Sequence, residues 1–277
     1  MKCARTSLAA TDRLVVAYSV GVALLLVVAG GGSGLPRVAL AAQHLALAAL
    51  VVVLAWLDRG GNRTAIGWLR RWTPMIALPW LYAAAGRMRH IVVARDLDPR
   101  IAGWDAALFP GEWYRVAARL PDAVVELAHA AYASYYLLLF VPALVAERRR
   151  PREVERYLFA VTATLLAHYA LNFLLPVNGP SARAELAGRG ALFVPAMDAI
   201  YRAFDRGGLA FPSTHVAAAL VAAWHGGRHL TLGRGGAYAV WFLLVAVSTV
   251  VCGYHYPIDV PAGLASGALA LALTRRC

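Results

Sequence analysis

The sequence predicts an all-α fold, a polytopic membrane helical bundle of about eight transmembrane helices. Hydrophobic residues make up 60% of the 277 residues, and the mean hydropathy is +0.58. Ordinary soluble domains are only about 45–50% apolar. The apolar residues form long runs, and arginine clusters separate these runs, as in the loops of membrane proteins. Both observations place the chain in a bilayer.

Two apolar runs, 14–30 and 38–57, open the chain after a short basic start. A basic start followed by an apolar run is also the pattern of a cleaved signal peptide. Because a second apolar run follows almost at once, we expect the first run to be a retained helix. The sequence therefore predicts an N-terminal transmembrane extension of two helices at 1–69, followed by a larger membrane domain at 70–277.

The larger domain begins with run 73–86, which Pro74 and Pro79 interrupt. This run is shorter than the about 20 residues that a membrane span needs. Segment 87–121 mixes arginines, acids and aromatic residues, which predicts amphipathic pieces at the membrane interface. Segment 176–210 is rich in Gly, Pro and Arg and predicts a long loop. The remaining predicted spans are 122–146, 157–175, 212–230, 236–252 and 257–273.

The arginines also predict the orientation, because short cytoplasmic loops are enriched in Lys and Arg. With the N-terminus inside and eight crossings, the short basic segments 58–72, 146–156 and 228–236 lie inside, together with the C-terminal tail. The long loops 87–121 and 176–210 then face outward. We expect a multi-pass protein of the plasma membrane.

The net charge of +12 does not indicate nucleic-acid binding, since no basic stripe or RNA-reading motif is present. Cys3, Cys252 and Cys277 have neither the spacing of a disulfide framework nor that of a zinc site. Glu126 and His129 form one Glu-x-x-His pair, but a di-iron bundle needs two such pairs and two further glutamates. We expect no nucleic-acid partner, no metal and no cofactor.

Two histidine motifs lie at the ends of apolar runs. The first is Phe-Pro-Ser-Thr-His, which contains Ser213 and Thr214 and ends at His215. The second, His-Tyr-Pro-Ile-Asp, runs from His255 to Asp259. Residues i and i+4 share one face of a helix, so Asp259 can hold a ring nitrogen of His255. A nucleophile with an orienting carboxylate and a second histidine suits nucleophilic and acid/base chemistry.

A third segment, the proline-containing turn 176–183, ends at Arg183. The predicted topology brings this turn and both histidine motifs to the outer membrane face, so one site can form from three loops. Arginine matches phosphate oxygens in a bidentate manner, which makes Arg183 a candidate phosphate ligand. Ser213, Thr214 and the backbone N–H groups of the helix that follows can add donors.

The two histidine motifs resemble Pro-Ser-x-His and His-x-x-x-Asp of the type 2 phosphatidic acid phosphatase superfamily. Ser248 and Thr249 stand where the superfamily usually has Ser-Arg, and the turn ending at Arg183 replaces its Lys-x6-Arg-Pro motif. Both departures are similar to the inositol-phosphorylceramide-synthase-like branch. Segments 104–109 and 131–136 resemble that branch as well.

The resemblance covers residues 70–275 and implies a membrane catalytic domain with a six-helix phosphatase-like core. It implies metal-independent phosphoryl transfer on a lipid phosphate or phospholipid, with water or an alcohol such as inositol as the acceptor. His255 is then the nucleophile that forms a phosphohistidine, Asp259 orients it, and His215 is the acid and base. The alternative is a transporter or channel with a histidine-based proton or solute site. No internal repeat is obvious, and the histidines lie at helix ends rather than at the midplane.

Overall fold

The computed structural model describes residues 8–29, 36–58, 64–186, 188–231 and 233–275. Within these ranges the chain forms ten α-helices and no strand beyond a single bridge between Val177 and Leu209, which confirms the all-α class. Cys3 and Cys277 lie outside the described residues. The helices are α1 (Ala10–Val28), α2 (Arg37–Leu57), α3 (Ala65–Arg87), α4 (Asp98–Leu108), α5 (Asp122–Ala146), α6 (Pro151–Leu171), α7 (Phe193–Phe204), α8 (Thr214–His225), α9 (Gly235–Val251) and α10 (Asp259–Thr274).

Three helices of the described part, α1, α2 and α5, are long and apolar enough to cross a membrane. Helices α9 and α10 are also apolar, but they have only 17 and 16 residues. A chain with these helices is a membrane protein. The count of eight spans stays a prediction, as does the division between 1–69 and 70–277, which falls within α3.

Helix α3 is longer than the sequence indicated. The expected short run 73–86 is part of a helix of 23 residues, in which Pro74 and Pro79 are both internal. Proline is tolerated inside membrane helices where neighbouring groups satisfy the freed backbone carbonyls. The helix begins after Thr64, whose hydroxyl accepts a hydrogen bond from the Gly67 N–H at 3.0 Å.

The extra turns of α3 contain two arginines that the sequence assigned to an inner loop. Arg70 forms ion pairs with Asp12 of α1 at 2.5 Å and with Asp58 at 3.2 Å. Arg71 forms an ion pair with Glu147, which follows α5. Because their partners lie far away in the sequence, the hydropathy pattern does not reveal that these charges are satisfied within a helix.

Helix α7 is a second correction, since it lies within the predicted loop 176–210. Its N-terminus is capped from outside, because the Glu126 carboxylate of α5 accepts from the Leu192 N–H at 3.0 Å and the Phe193 N–H at 2.8 Å. A negative charge at a helix N-terminus is favourable. Glu126 therefore supports α7 rather than a metal centre.

The remaining boundaries differ less from the prediction. The predicted span 157–175 begins earlier, at Pro151 of α6. The predicted span 212–230 is divided between the 12-residue α8 and a π turn at Gly226–Leu230. The interfacial segment 87–121 contains α4 and a 3-10 turn at Trp113–Arg119.

Helix α8 is the centre of the bundle and packs against α5, α6, α9 and α10. Its small side chains let these neighbours approach closely. A Cβ atom at Gly263 of α10 would lie only 2.6 Å from the Ser213 carbonyl oxygen that precedes α8. This close approach places the first turns of α8 and α10 side by side. The fully buried alanines of α8 are Ala217, Ala218, Ala219 and Ala222.

Candidate active site

His255 lies in the short connection between α9 and α10. Its Nδ1 atom is 3.1 Å from Oδ2 of Asp259, the first residue of α10, and both side chains are buried. The same carboxylate oxygen accepts from the Tyr256 N–H at 2.9 Å. The His255 backbone N–H donates to the Thr249 carbonyl oxygen at 3.1 Å. Asp259 thus holds the ring at Nδ1, the backbone contact fixes the loop that bears it, and Nε2 is free of the carboxylate.

Ser213 joins the two histidine motifs. Its hydroxyl lies 3.3 Å from His255 Nε2, although the two residues are 42 positions apart. The same hydroxyl caps α8, because it accepts from the Val216 N–H at 3.3 Å. The Ser213 backbone N–H donates to the Asp259 carbonyl oxygen at 3.1 Å. These contacts hold the start of α8 against the start of α10.

His215 follows in the first turn of α8. Its ring centroid is 5.7 Å from that of His255, and the two rings are nearly perpendicular at 68°. The Tyr132 hydroxyl of α5 lies 3.1 Å from His215 Nε2. Both histidines line one cavity of about 30 Å³, and Arg183 lines the same cavity. The three predicted segments therefore meet around a single space.

Arg183 lies on a short 3-10 turn at Ser181–Leu186. Its guanidinium is 4.3 Å from the ring centroid of Tyr201, and its Nη2 donates to Asp205 Oδ2 at 3.0 Å. The buried Nη1 atom has no hydrogen-bond partner within the described ranges. One half of the guanidinium fork is therefore engaged by a carboxylate of the protein, and the other half is open to a ligand.

The arginine turn contacts the loop that contains His255. Gly253 has φ +73°, a region that favours glycine, and a Cβ atom there would lie 2.9 Å from the Arg183 backbone nitrogen. Upstream, the Val177 N–H donates to the Gly208 carbonyl at 3.1 Å, and the Ala210 N–H donates to the Val177 carbonyl at 2.8 Å. These contacts attach the arginine turn to the segment that leads into Ser213.

Asp105 of α4 supports the far side of the histidine loop. Its Oδ1 atom accepts from the Ile258 N–H at 2.8 Å. Burial raises the pKa of Asp105, and the Ile258 N–H opposes this shift. Burial also raises the pKa of the neighbouring Tyr256 to about 12, so this phenol stays protonated. The segment 104–109, noted in the sequence for its resemblance, therefore contributes a loop-positioning carboxylate.

Thr214, a predicted phosphate ligand, and Thr249, which stands where the superfamily usually has arginine, both have hydrogen-bond partners within the protein. The Thr214 hydroxyl lies 3.2 Å from Nδ1 of His168, whose Nε2 is 3.1 Å from the Ser266 hydroxyl. The Thr249 hydroxyl donates to the Ala246 carbonyl at 2.7 Å. The Thr214 contact joins α8 to α6, whereas the Thr249 contact stays within α9.

Sequence reasoning missed an aromatic cluster beside His215. The hydroxyls of Tyr132 and Tyr201 are 2.5 Å apart, and the Tyr254 ring stacks on both rings, at 4.4 and 4.5 Å. It also missed Asp205, which pairs with Arg183. In the sequence, segment 131–136 is marked only by its resemblance to the branch, and nothing near Asp205 marks that residue as a partner of the site.

A second, mostly apolar cavity of about 250 Å³ adjoins the site. Its walls come from α3, α5, α6 and α7, and include Leu78, Leu139 and Phe204. The cavity reaches Thr214 and His215 at the start of α8. An apolar space that reaches His215 has the character of a site for a hydrocarbon chain.

The described residues contain no group of three or more His, Cys, Asp or Glu side chains that could bind a metal ion. His129, which the sequence pairs with Glu126, instead contacts the Val125 carbonyl oxygen through Nδ1 at 2.9 Å. At the cavity itself, the side chains that meet offer imidazole, guanidinium, hydroxyl and phenol groups to a ligand.

The family model of the PAP2 superfamily matches residues 100–273, and the chain belongs to this superfamily. The matched range contains Arg183, both histidine motifs and Asp259. No curated protein and no solved structure matches the chain. Membership indicates a phosphatase or phosphotransferase acting on a phosphorylated lipid or small molecule, and it does not favour the transporter hypothesis.

Proposed function

We propose that this protein is an integral-membrane lipid phosphatase or phospho-head-group transferase that acts through a phosphohistidine on His255. One observation carries the proposal: a buried imidazole, held at Nδ1 by Asp259, shares a cavity with His215 and Arg183. A nucleophile, a proton carrier and a phosphate ligand are the groups that phosphoryl transfer requires.

In the first step, His255 Nε2 attacks phosphorus and the bond between phosphorus and the leaving oxygen breaks. The Nδ1–H donates to Asp259, which keeps the lone pair on Nε2 and stabilises the positive charge on the phosphorylated ring. His215 in its protonated form gives its proton to the departing alkoxide. Arg183 and Ser213 bind the non-bridging oxygens, so that protein cations rather than a metal ion balance the charge.

In the second step, His215 removes a proton from the acceptor hydroxyl. The acceptor oxygen attacks phosphorus, the phosphorus–nitrogen bond breaks, and His255 returns to its starting form. Water as acceptor gives hydrolysis, and an alcohol such as inositol gives transfer. The similarity to the inositol-phosphorylceramide-synthase-like branch favours transfer.

A lipid substrate is supported by the apolar cavity of about 250 Å³ that reaches His215. A phosphate at Arg183 and a hydrocarbon chain in this cavity would lie on either side of the acid/base histidine. The distribution of arginines supports a plasma-membrane protein whose site faces outward.

The proposal is tested with protein purified in detergent and supplied with a panel of lipid phosphates and phospholipids, with and without inositol. We expect turnover by the native protein and a loss of at least about 10³-fold in His255→Ala and in His215→Ala. His90→Ala is the matched control, because His90 lies outside the cavity and pairs with Asp96. Inositol-dependent products identify transfer, and free phosphate or released head group identifies hydrolysis.

Acid-labile, base-stable labelling of the protein by substrate, absent in His255→Ala, identifies the phosphohistidine. A chelator should leave turnover intact. Full turnover in either histidine variant, with normal helical content, would contradict the mechanism. Strong inhibition by the chelator would contradict its metal independence.

A further inference from the structure

A wide cleft lies at the end of the bundle opposite the histidine site. It has a volume of about 1110 Å³ and is formed by the end of α5, the π turn 226–230 and the start of α9, with Trp68 of α3 at its edge. Helix α5 has 25 residues, so it is about 37 Å long. Tyr132 lies in its first half beside His215, whereas the cleft lies at its last residue, Ala146.

Arginines dominate this cleft. Arg148, Arg149 and Arg150 follow α5, and Arg234 immediately precedes α9. Arg150 is fixed in place, because its Nη1 donates to the His229 carbonyl oxygen at 3.1 Å. The cleft is therefore a concave surface with four guanidinium groups, rather than a convex loop with scattered charges.

The acidic residues nearby are already engaged. Glu147 lines the cleft, but its carboxylate pairs with Arg71 and accepts from Trp72 Nε1 at 3.2 Å. Glu153 pairs with Arg156 at 3.2 Å and lies 3.9 Å from His229.

Within the described ranges no acidic side chain forms an ion pair with Arg148, Arg149 or Arg234. The positions outside those ranges contain no Asp or Glu. The cleft consequently presents an uncompensated positive charge.

The walls of the cleft are apolar and exposed. Leu144 and Val145 expose 48% and 66% of their surfaces, and Trp68 exposes 40%. Trp is typical of the level of the lipid head groups, and exposed aliphatic side chains beside it match the start of the acyl region. An arginine cluster above such a wall has the chemistry of a site for a lipid head group rather than for a free anion.

We propose that this cleft binds the head group of an anionic phospholipid from the leaflet opposite the active site, which the sequence predicts to be the inner one. The phosphodiester binds to the guanidinium groups of Arg148, Arg149 and Arg234, and the upper acyl chains lie against Leu144, Val145 and Trp68. The site is separate from the catalytic cavity and does not depend on the proposed reaction.

The test is native mass spectrometry of the full-length protein in detergent, titrated with phosphatidylglycerol or phosphatidylcholine. We expect saturable retention of phosphatidylglycerol and weak retention of phosphatidylcholine. The triple variant Arg148→Gln/Arg149→Gln/Arg234→Gln should lower the affinity for phosphatidylglycerol at least about tenfold. The control triple variant Arg95→Gln/Arg100→Gln/Arg119→Gln removes the same charge from segment 87–121 and should retain the lipid.

Single variants at Arg148 and Arg234 should each lower the affinity for phosphatidylglycerol by part of that amount. They keep the test conclusive if the triple variant does not fold. Four outcomes would overturn the proposal. One is equal retention by the cleft variant and the native protein, and another is equal retention of phosphatidylcholine. The third is competition by free glycerol 3-phosphate at concentrations equal to those of the lipid, which would make the ligand a soluble anion. Loss of retention in Arg183→Gln instead of the cleft variant would assign the lipid to the catalytic cavity and overturn the proposal as well.

Discussion

Two buried histidines of this bundle have opposite surroundings. The His255 ring has a partner at each nitrogen, Asp259 at 3.1 Å and Ser213 at 3.3 Å. His44 of α2 is fully buried too, yet neither of its ring nitrogens has a hydrogen-bond partner in the described part of the chain. Its ring packs instead against Trp80, with centroids 4.8 Å apart.

The difference shows that burial alone does not identify a functional histidine. Ionisable residues inside a membrane protein are candidates for function by default. His255 adds to burial a carboxylate partner, a second histidine and a cavity, whereas the ring of His44 contacts the rings of Trp80 and Tyr18. The arrangement of partners, rather than the cost of burial, separates the catalytic candidate from a packing residue.

Among the partners of the two histidines, the largest effect is expected where the Asp259 contact of His255 is removed. Asp259→Asn removes the negative charge that stabilises the phosphorylated ring, and an amide NH2 group turned towards Nδ1 favours the tautomer with the proton on Nε2. We expect turnover to fall by about 10²- to 10⁴-fold. Steady-state assays on the best lipid substrate measure this turnover. Asp198→Asn is the control, since Asp198 is exposed and pairs with Arg202 outside the cavity. Turnover within threefold of the native value would remove Asp259 from the mechanism.

A smaller effect is expected at the phosphate ligand. Arg183→Lys keeps the positive charge but loses the planar fork, and kcat/KM should fall by about 10- to 100-fold. Arg202→Lys on nearby α7 is the control, because Arg202 is exposed and lies outside the cavity. Equal kcat/KM values for the two variants would show that Arg183 does not bind the phosphate.

Removing the Tyr132 hydroxyl beside His215 should lower turnover less than the change at Arg183. Tyr132→Phe removes the hydroxyl that contacts both His215 and Tyr201. The hydrogen bond to His215 is worth about 0.5–1.5 kcal/mol, so turnover should fall by about two- to tenfold. Tyr135→Phe is the control, since its ring lies 4.6 Å from the His215 ring and no hydrogen bond joins the two in the described structure. A larger loss in Tyr135→Phe than in Tyr132→Phe would argue against hydrogen bonding as the cause.

No effect on turnover is expected at His44. His44→Leu replaces an unpartnered imidazole by an apolar side chain, which should stabilise the fold by about 1 kcal/mol and raise the Tm by about 2–4 °C. His129→Leu is the matched comparison and should lower the Tm, because it removes the contact with the Val125 carbonyl. Thermal melts in detergent measure both variants. A lower Tm for His44→Leu would mean that its ring has a partner after all.

Much of the fold follows from local sequence. Long apolar runs predict membrane helices because no other structure satisfies the backbone of a spanning segment in lipid. Helical spacing predicts the pair of His255 and Asp259, because residues i and i+4 share a face. In the structure His255 precedes α10, and the pair forms across the turn that leads into this helix. The alternation of spans, in turn, brings both histidine motifs and the Arg183 turn to one side. These inferences depend only on residues that are close together in the sequence. The resemblance to the superfamily depends on the same two histidine motifs.

The tertiary structure decided what depends on distant partners. Helix α3 continues through Arg71 because Glu147 pairs with it, and α7 forms where a loop was expected because Glu126 caps it. Asp205 reaches Arg183 only in the folded chain. A hydropathy pattern treats every charged residue as unfavourable in a helix that is to be buried. In the folded chain an opposite charge or a backbone N–H group can lie next to that residue and offset the free-energy cost of burying it.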